Sequence, residues 1–145
     1  ESQPRIWICK MTPIFHGHSR FKSGTRDWFW QIQEKITTVA HGQQTGLIDF
    51  HTPLYSRPDL LPDNVHPDKT GASILAQTVY SEITGDFGGL KIPDFFQSHM
   101  VLQRDTAISI FGTANRDEEI EVVFDGNTQK TTPDVHGNWK VSFPA

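Results

Sequence analysis

The sequence lacks several features that would assign it to a class at once. A single cysteine, Cys9, among 145 residues excludes a disulfide within the chain and leaves the redox compartment open. No apolar run approaches the roughly 18 residues that span a bilayer. The net charge is −4 and no Lys/Arg cluster stands out, so nothing points to a nucleic-acid partner. With neither a starting Met nor a signal peptide, we expect an internal piece of a longer protein.

The first half of the chain alternates predicted strands and helices. The apolar segments Arg5–Met11 and Gly46–Phe50 are typical of buried parallel strands. Residues 25–40 and 68–83 carry apolar side chains at helical spacing. These stripes are Phe29, Ile32, Ile36, Val39 and Ala40 in the first helix, and Ala72, Leu75, Ala76, Val79 and Ile83 in the second. Pro67 suits the first position of the second helix. The order predicts a parallel sheet with right-handed crossovers.

The second half follows a glycine-rich segment, Gly85–Leu90, and changes to a period of two. Ile108 and Ile110 share one side of a predicted strand. The next strand has inward and outward sets, which are Ile120, Val122 and Phe124 against Glu119, Glu121 and Val123. Asp125–Asn127 predicts a hairpin, because Gly tolerates positive φ. We therefore predict an α/β fold, a partial parallel sheet with flanking helices over residues 1–86. A partial antiparallel β-sandwich follows over residues 87–145.

Asp63 and His66 stand three residues apart in a turn between Pro62 and Pro67. A histidine becomes a useful general base when a carboxylate accepts its Nδ1–H, because that bond fixes the tautomer and stabilises the imidazolium. The turn follows a strand by a loop, and ligands of open α/β sheets bind beyond the carboxyl ends of the strands. Taken alone, the spacing also fits a structural role in which Asp63 braces a surface turn and His66 caps the next helix.

The wider context of this turn resembles a known family. The segments "RIWICKMTPI", "GLIDFHTPL" and "LLPDNVHPDKTGASILAQTVYSEI" are similar to the C-terminal half of an SGNH (GDSL-type) hydrolase. The resemblance implies that His66 is the catalytic base and that Asp63 orients it. The family's G-D-S nucleophile and G-x-N segments have no counterpart here, which implies that the nucleophile lies outside this chain. It also implies that Trp7 and Ile8 lack their usual cover.

The second half resembles a different family. "MVLQR" at Met100–Arg104, then "IFGTA" and "HGNWKVSFP", are similar to the opening β-sandwich of the sialate O-acetylesterase family. Members of that family act on acetyl esters of saccharides, and the sandwich precedes an SGNH domain. Here a hydrolase-like segment stands in front of the sandwich, which departs from the family order and implies a larger multidomain esterase.

Together the resemblances imply a fragment of a secreted or periplasmic carbohydrate esterase, of sialate O-acetylesterase or acetylxylan-esterase type. Its partners would be an acetylated saccharide and the remainder of the SGNH domain and of the sandwich, with no nucleic acid, no membrane and no cofactor. The fragment alone is expected to be inactive. The alternative is a non-catalytic carbohydrate-binding or structural module of a multidomain protein.

Four other features carry weaker hypotheses. His16-Gly17-His18 has the form of half a metal site, but without a third ligand nearby a polar loop is favoured. The consecutive Trp28, Phe29 and Trp30 cannot all be buried on one helix face. Packing is favoured for these rings over stacking on a sugar. Cys9 is predicted to be a small core residue. Asp49 lies at a strand end, where an ordinary loop contact is favoured over contact with the candidate site.

Overall fold

The computed structural model describes residues 4–16 and 23–144, with side chains in the first helix from Trp28 onward. Its helices and strands are β1 Trp7–Cys9, α1 Ser23–Gly42, β2 Gly46–Ile48, α2 Lys69–Thr84, β3 Ile108–Thr113, β4 Ile120–Phe124, β5 Asn127–Thr131 and β6 Asn138–Phe143. Short 3-10 turns at Thr52–Leu54 and Pro58–Leu60 lie between β2 and α2. Two helices and small, mostly antiparallel sheets agree with the predicted α/β class at that level.

The chain divides into two compact units inside α2, one up to Val79 and the other from Tyr80 on. In the first unit β1 and β2 pair in parallel, with Trp7 opposite Gly46, and this confirms the predicted parallel arrangement. A Cβ on Gly46 would collide with the indole of Trp7, so any larger residue there would require that ring to move. Cys9 is exposed, so its prediction as a core residue is wrong. The sheet has only two strands in the described chain, and no layer there covers that side chain.

Helix α1 buries a different set of residues from its predicted apolar stripe. Phe29 and Ala40 are buried as predicted, but Ile32 and Val39 are exposed. Gln33 lies on the buried face instead, where its side-chain amide accepts from the Met11 N–H and donates to the Met11 carbonyl, both at 2.9 Å. This amide satisfies backbone groups that would otherwise be unpaired beyond the end of β1. The buried face is therefore set by a polar contact as well as by apolar packing.

Helix α2 begins later than its proline suggests. Asp68 precedes the helix, and its carboxylate accepts the Gly71 N–H at 2.8 Å, as an N-cap does. The prediction that Pro67 holds the first helical position is therefore wrong. Leu75 and Val79 are half-buried in agreement with the predicted stripe. Three other members of that stripe are exposed, namely Ala72, Ala76 and Ile83.

The second unit is built from antiparallel strand pairs. β3 pairs with β6 and β4 pairs with β5, in two two-stranded sheets. The predicted alternation in β4 is confirmed, because Ile120 is buried, Val122 and Phe124 are half-buried and their neighbours are exposed. The apolar cluster contains Ala114, Ile120, Trp139, Val141 and Phe143. No helix in the described part of the chain is long and apolar enough to cross a membrane.

The predicted β4–β5 hairpin is confirmed and yields a stability test. Its two-residue loop places Asp125 at φ 48° and Gly126 at φ 76°, as a type I′ turn requires. Gly126→Ala should lower the free energy of unfolding of the second unit by about 1–2 kcal/mol, because an L side chain is strained at this φ. No atom lies within 4 Å of the added Cβ, so strain alone is measured.

Gly42→Ala is the matched control for this substitution. Its added Cβ also meets nothing within 4 Å, and its φ is not in the left-handed region. At the end of a helix this change should be neutral or stabilising by up to about 1 kcal/mol. Denaturant unfolding, monitored through NMR peaks from each unit, measures the free energy of unfolding of both variants. Equal effects of the two substitutions would contradict the turn assignment.

Candidate functional site: the Asp63–His66 turn

The turn that carries Asp63 and His66 is anchored by buried leucines. Leu54, Leu60 and Leu61 form the apolar cluster of the first unit, and Leu61 is 1% exposed. The Leu61 carbonyl accepts the Asn64 N–H at 2.8 Å, and the Leu60 carbonyl accepts the Asp68 N–H at 2.8 Å. These bonds fix both ends of the turn to the core. The polar residues between them are thereby held at the surface.

A second set of contacts joins the turn to the segment after β1. The Asn64 carbonyl accepts the Phe15 N–H at 2.9 Å, and the Val65 carbonyl accepts the Thr12 hydroxyl at 3.4 Å. Asn64 adopts φ 67°, a left-handed conformation that Asn tolerates better than most residues. The turn is therefore braced against the end of β1, where open parallel sheets bind ligands.

Asp63 uses both carboxylate oxygens. Oδ1 accepts the backbone N–H groups of Val65 at 3.0 Å and His66 at 2.7 Å, which closes an Asx turn. Oδ2 lies 2.6 Å from Nδ1 of the His66 ring. The contact that the sequence predicts between these two side chains is therefore present. The structural alternative is correct in part, because Asp63 does brace the turn, but Asp68 rather than His66 caps α2.

The tautomer of His66 follows from this geometry. An ionised carboxylate only accepts hydrogen bonds, so Nδ1 must carry a proton, and in the neutral ring Nε2 is then the basic nitrogen. The His66 side chain is 78% exposed, which leaves this nitrogen accessible. The arrangement can accept a proton at Nε2 while the carboxylate stabilises the resulting imidazolium.

The same contacts determine the charge of Asp63. The hydrogen bond from the His66 ring, followed by the backbone N–H bonds of His66 and Val65, holds the pKa of Asp63 far below its ordinary value. The carboxylate is therefore ionised at any pH at which the protein would act. Because the folded-state pKa is the lower one, the stability linked to Asp63 is present above the ordinary pKa and is lost as pH falls below it.

The other hypotheses drawn from the sequence, on the histidine pair, the consecutive aromatic residues and Asp49, can be compared with the structure one by one. Gly17 and His18 lie outside the described residues. Among those described, no three His, Cys, Asp or Glu side chains come together as a metal site. Phe29 is buried as packing predicts, whereas Trp28 and Trp30 are 69% and 53% exposed. Asp49 makes the expected loop contacts, accepting from the N–H groups of His51 and Thr52 at 2.8 and 3.0 Å.

Sequence reasoning missed a cleft beside these contacts. It has a volume of about 430 Å³ and contains Lys10, Trp30, Asp49, His51, Thr52 and Tyr55 in its wall. These residues come from the ends of both strands, from α1 and from the 3-10 turn after β2. The polar and aromatic side chains of "DFHTPLY", at the end of a predicted strand, were the available indication of a binding site. No sequence spacing predicts that they lie near Trp30, which is on α1.

Comparisons of this chain with protein-family models, with curated proteins and with solved structures found no match. The geometry of the turn and of the cleft therefore carries the functional argument together with the resemblances of the sequence segments described above.

The electrostatic coupling of the turn can be tested directly. In a His66→Ala variant the pKa of Asp63 should rise towards its ordinary value, because the strongest hydrogen bond to the carboxylate is removed. The carboxyl 13C chemical shift of Asp63, followed by NMR during an acid titration, measures this pKa. Asp59 is the control carboxylate, since Arg57 lowers its pKa in the same loop region and the substitution does not touch that pair. An unchanged titration of Asp63 would contradict the coupling.

Proposed function

We propose that this chain carries the acid–base half of a serine esterase that acts on acetyl esters of saccharides. The observation that supports the proposal is the 2.6 Å contact between Asp63 and an imidazole that is otherwise exposed. The ester and saccharide parts of the proposal rest on the family resemblances of the two halves. The sialate O-acetylesterase and acetylxylan-esterase types remain the two forms of this hypothesis.

In the proposed mechanism a serine from outside this chain is the nucleophile. Nε2 of His66 takes the serine proton as the hydroxyl attacks the ester carbonyl, and Asp63 stabilises the imidazolium. The protonated ring then donates to the leaving alkoxide, which leaves an acetyl-enzyme. A water molecule attacks this acetyl group while His66 again accepts the proton. The protonated ring then donates this proton to the departing serine oxygen, which breaks the acyl–serine bond, releases acetic acid and restores both the serine and the neutral ring.

The alternative proposal is a carbohydrate-binding or structural module without hydrolysis. A second histidine–carboxylate pair shows that this contact also occurs in a structural role, since His136 Nδ1 lies 2.9 Å from Glu82 Oε1 in the second unit. That pair belongs to a structural network, in which Arg116 bonds the carbonyls of Glu82 and Val135 at 3.1 and 2.8 Å. A G-D-S segment encoded upstream in the same reading frame discriminates the two proposals, because only the esterase needs it.

Substitution of His66 tests the enzymatic proposal. In the full-length protein, His66→Ala should lower the kcat for hydrolysis of an acetyl ester by about 10²–10⁴-fold, because it removes the group that takes the serine proton. Asp63→Asn should lower it as well, through loss of the orienting carboxylate. Release of acetate from an acetylated saccharide measures both effects.

His136→Ala is the matched control for this experiment. It removes another exposed imidazole that contacts a carboxylate, but from the second unit. Its turnover should equal that of the unmodified protein. Unchanged turnover in His66→Ala would refute the base assignment, and equal losses in both histidine variants would indicate a general effect on folding.

A further inference from the structure

The cleft missed by the sequence patterns combines exposed aromatic rings with polar groups. The Trp30 and Tyr55 side chains are 53% and 58% exposed, and both lie in its wall. His51 lies between them, with its ring centroid 5.0 Å from that of Trp30 and 5.1 Å from that of Tyr55. The mutual contacts hold the rings in place while their outer surfaces stay in water. Such rings offer a flat, ordered apolar surface at little cost in conformational entropy.

The charges in the cleft cancel. Lys10 Nζ lies 3.2 Å from Asp49 Oδ2, so among the described residues of its wall the one cation is paired with the one carboxylate. Burial lowers the pKa of His51, and the nearby Lys10 lowers it further against the opposing charge of Asp49. The His51 ring is therefore largely neutral at pH 7. A site with no net charge and several donors and acceptors suits a neutral polyhydroxy ligand better than an anion.

The polar groups are also well fixed. The Asp49 carboxylate accepts from the N–H groups of His51 and Thr52 and from the Thr52 hydroxyl, the last at 2.9 Å. The carboxylate that pairs with Lys10 is therefore held in place by the 3-10 turn after β2. An ammonium group has three donors, and the contact with Asp49 uses one of them. The remaining donors can reach hydroxyl groups of a ligand seated on the rings.

One short segment connects the cleft to the Asp63–His66 turn. Lys10 belongs to the cleft, Met11 is held by Gln33, and Thr12 bonds the carbonyl of Val65. Three consecutive residues after β1 thus contact the wall of the cleft and then the turn. A ligand bound in the cleft lies beyond the carboxyl ends of both strands, and the segment after β1 also contacts the turn that carries the histidine.

We infer that the cleft is a binding subsite for a neutral pyranose ring. One face of such a sugar presents C–H groups that pack on the electron-rich faces of Trp30 and Tyr55. Its hydroxyl groups bond Lys10, Thr52 and the neutral His51 ring. The statement that this sugar belongs to the ester substrate rests on the proposed function. The binding itself does not, because it requires neither His66 nor an acetyl group.

Binding of unesterified oligosaccharides to the 145-residue chain tests this inference. The neutral probes are xylotetraose, cellotetraose and mannotetraose, and the anionic probe is trigalacturonic acid, each followed by NMR chemical-shift perturbation. At least one neutral probe should shift the signals of Trp30, His51 and Tyr55. Trp30→Ala and Tyr55→Ala should each weaken its affinity by about tenfold, since loss of one stacked ring is of this order.

Trp28→Ala is the matched control, because Trp28 is 69% exposed on the same helix and lies outside this cleft. It should leave the affinity unchanged. Trp30→Phe and Tyr55→Phe keep a ring and should retain most of the binding, which separates loss of stacking from loss of folding. Absence of binding by every neutral probe, equal loss in Trp28→Ala, or tighter and salt-sensitive binding of trigalacturonic acid would each overturn the inference.

The outcome is independent of the esterase test. Saccharide binding that persists in a His66→Ala variant with unchanged turnover would retain the subsite and reject the catalytic base. A loss of turnover in His66→Ala without any binding to the cleft would reject the subsite and retain the base.

Discussion

The short hydrogen bond between Asp63 and the His66 ring is the interaction on which the functional account depends. It requires that one carboxylate serve two partners, with Oδ1 closing the turn and Oδ2 holding the ring 2.6 Å away. The turn keeps this geometry because the carbonyls of Leu60 and Leu61 fasten it to the core and Asn64 takes a left-handed conformation. The apolar cluster thus determines where a polar contact forms.

This contact contributes little to the stability of the fold. Both side chains are largely in water, where ion pairs are screened and weakly stabilising. Its main physical effect is to fix a tautomer and to keep a carboxylate ionised. The pair of His136 with Glu82 differs, because Glu82 is 15% exposed and its carbonyl bonds Arg116 in a network of the second unit. Exposure and surroundings therefore separate the two histidine–carboxylate pairs.

Sequence patterns predicted the features that depend on local spacing. The parallel pairing of β1 with β2, the alternation in β4, the hairpin at Asp125 and Gly126 and the contact between Asp63 and His66 all span short distances in sequence or follow from strand order. The identity of the halves as SGNH-type and sandwich domains stays a prediction.

Other features could not be predicted because distant or polar contacts decide them. Gln33 is buried although it is polar, because it pairs with the backbone of Met11 far away in the sequence. Helix α2 begins after Pro67, because the side chain of Asp68 caps the helix by accepting the Gly71 N–H. The cleft joins residues from both strand ends and from α1, and no single periodicity contains them.

The tautomeric state of His66 tests the central claim most directly. Long-range 1H–15N NMR of the imidazole, recorded at a pH at which the ring is neutral, distinguishes a protonated Nδ1 from a protonated Nε2. The account predicts that Nδ1 carries the proton and that Nε2 is the unprotonated, pyridine-like nitrogen. An Nε2–H tautomer, or rapid averaging between the two forms, would contradict it, because the ring would then not be held by Asp63.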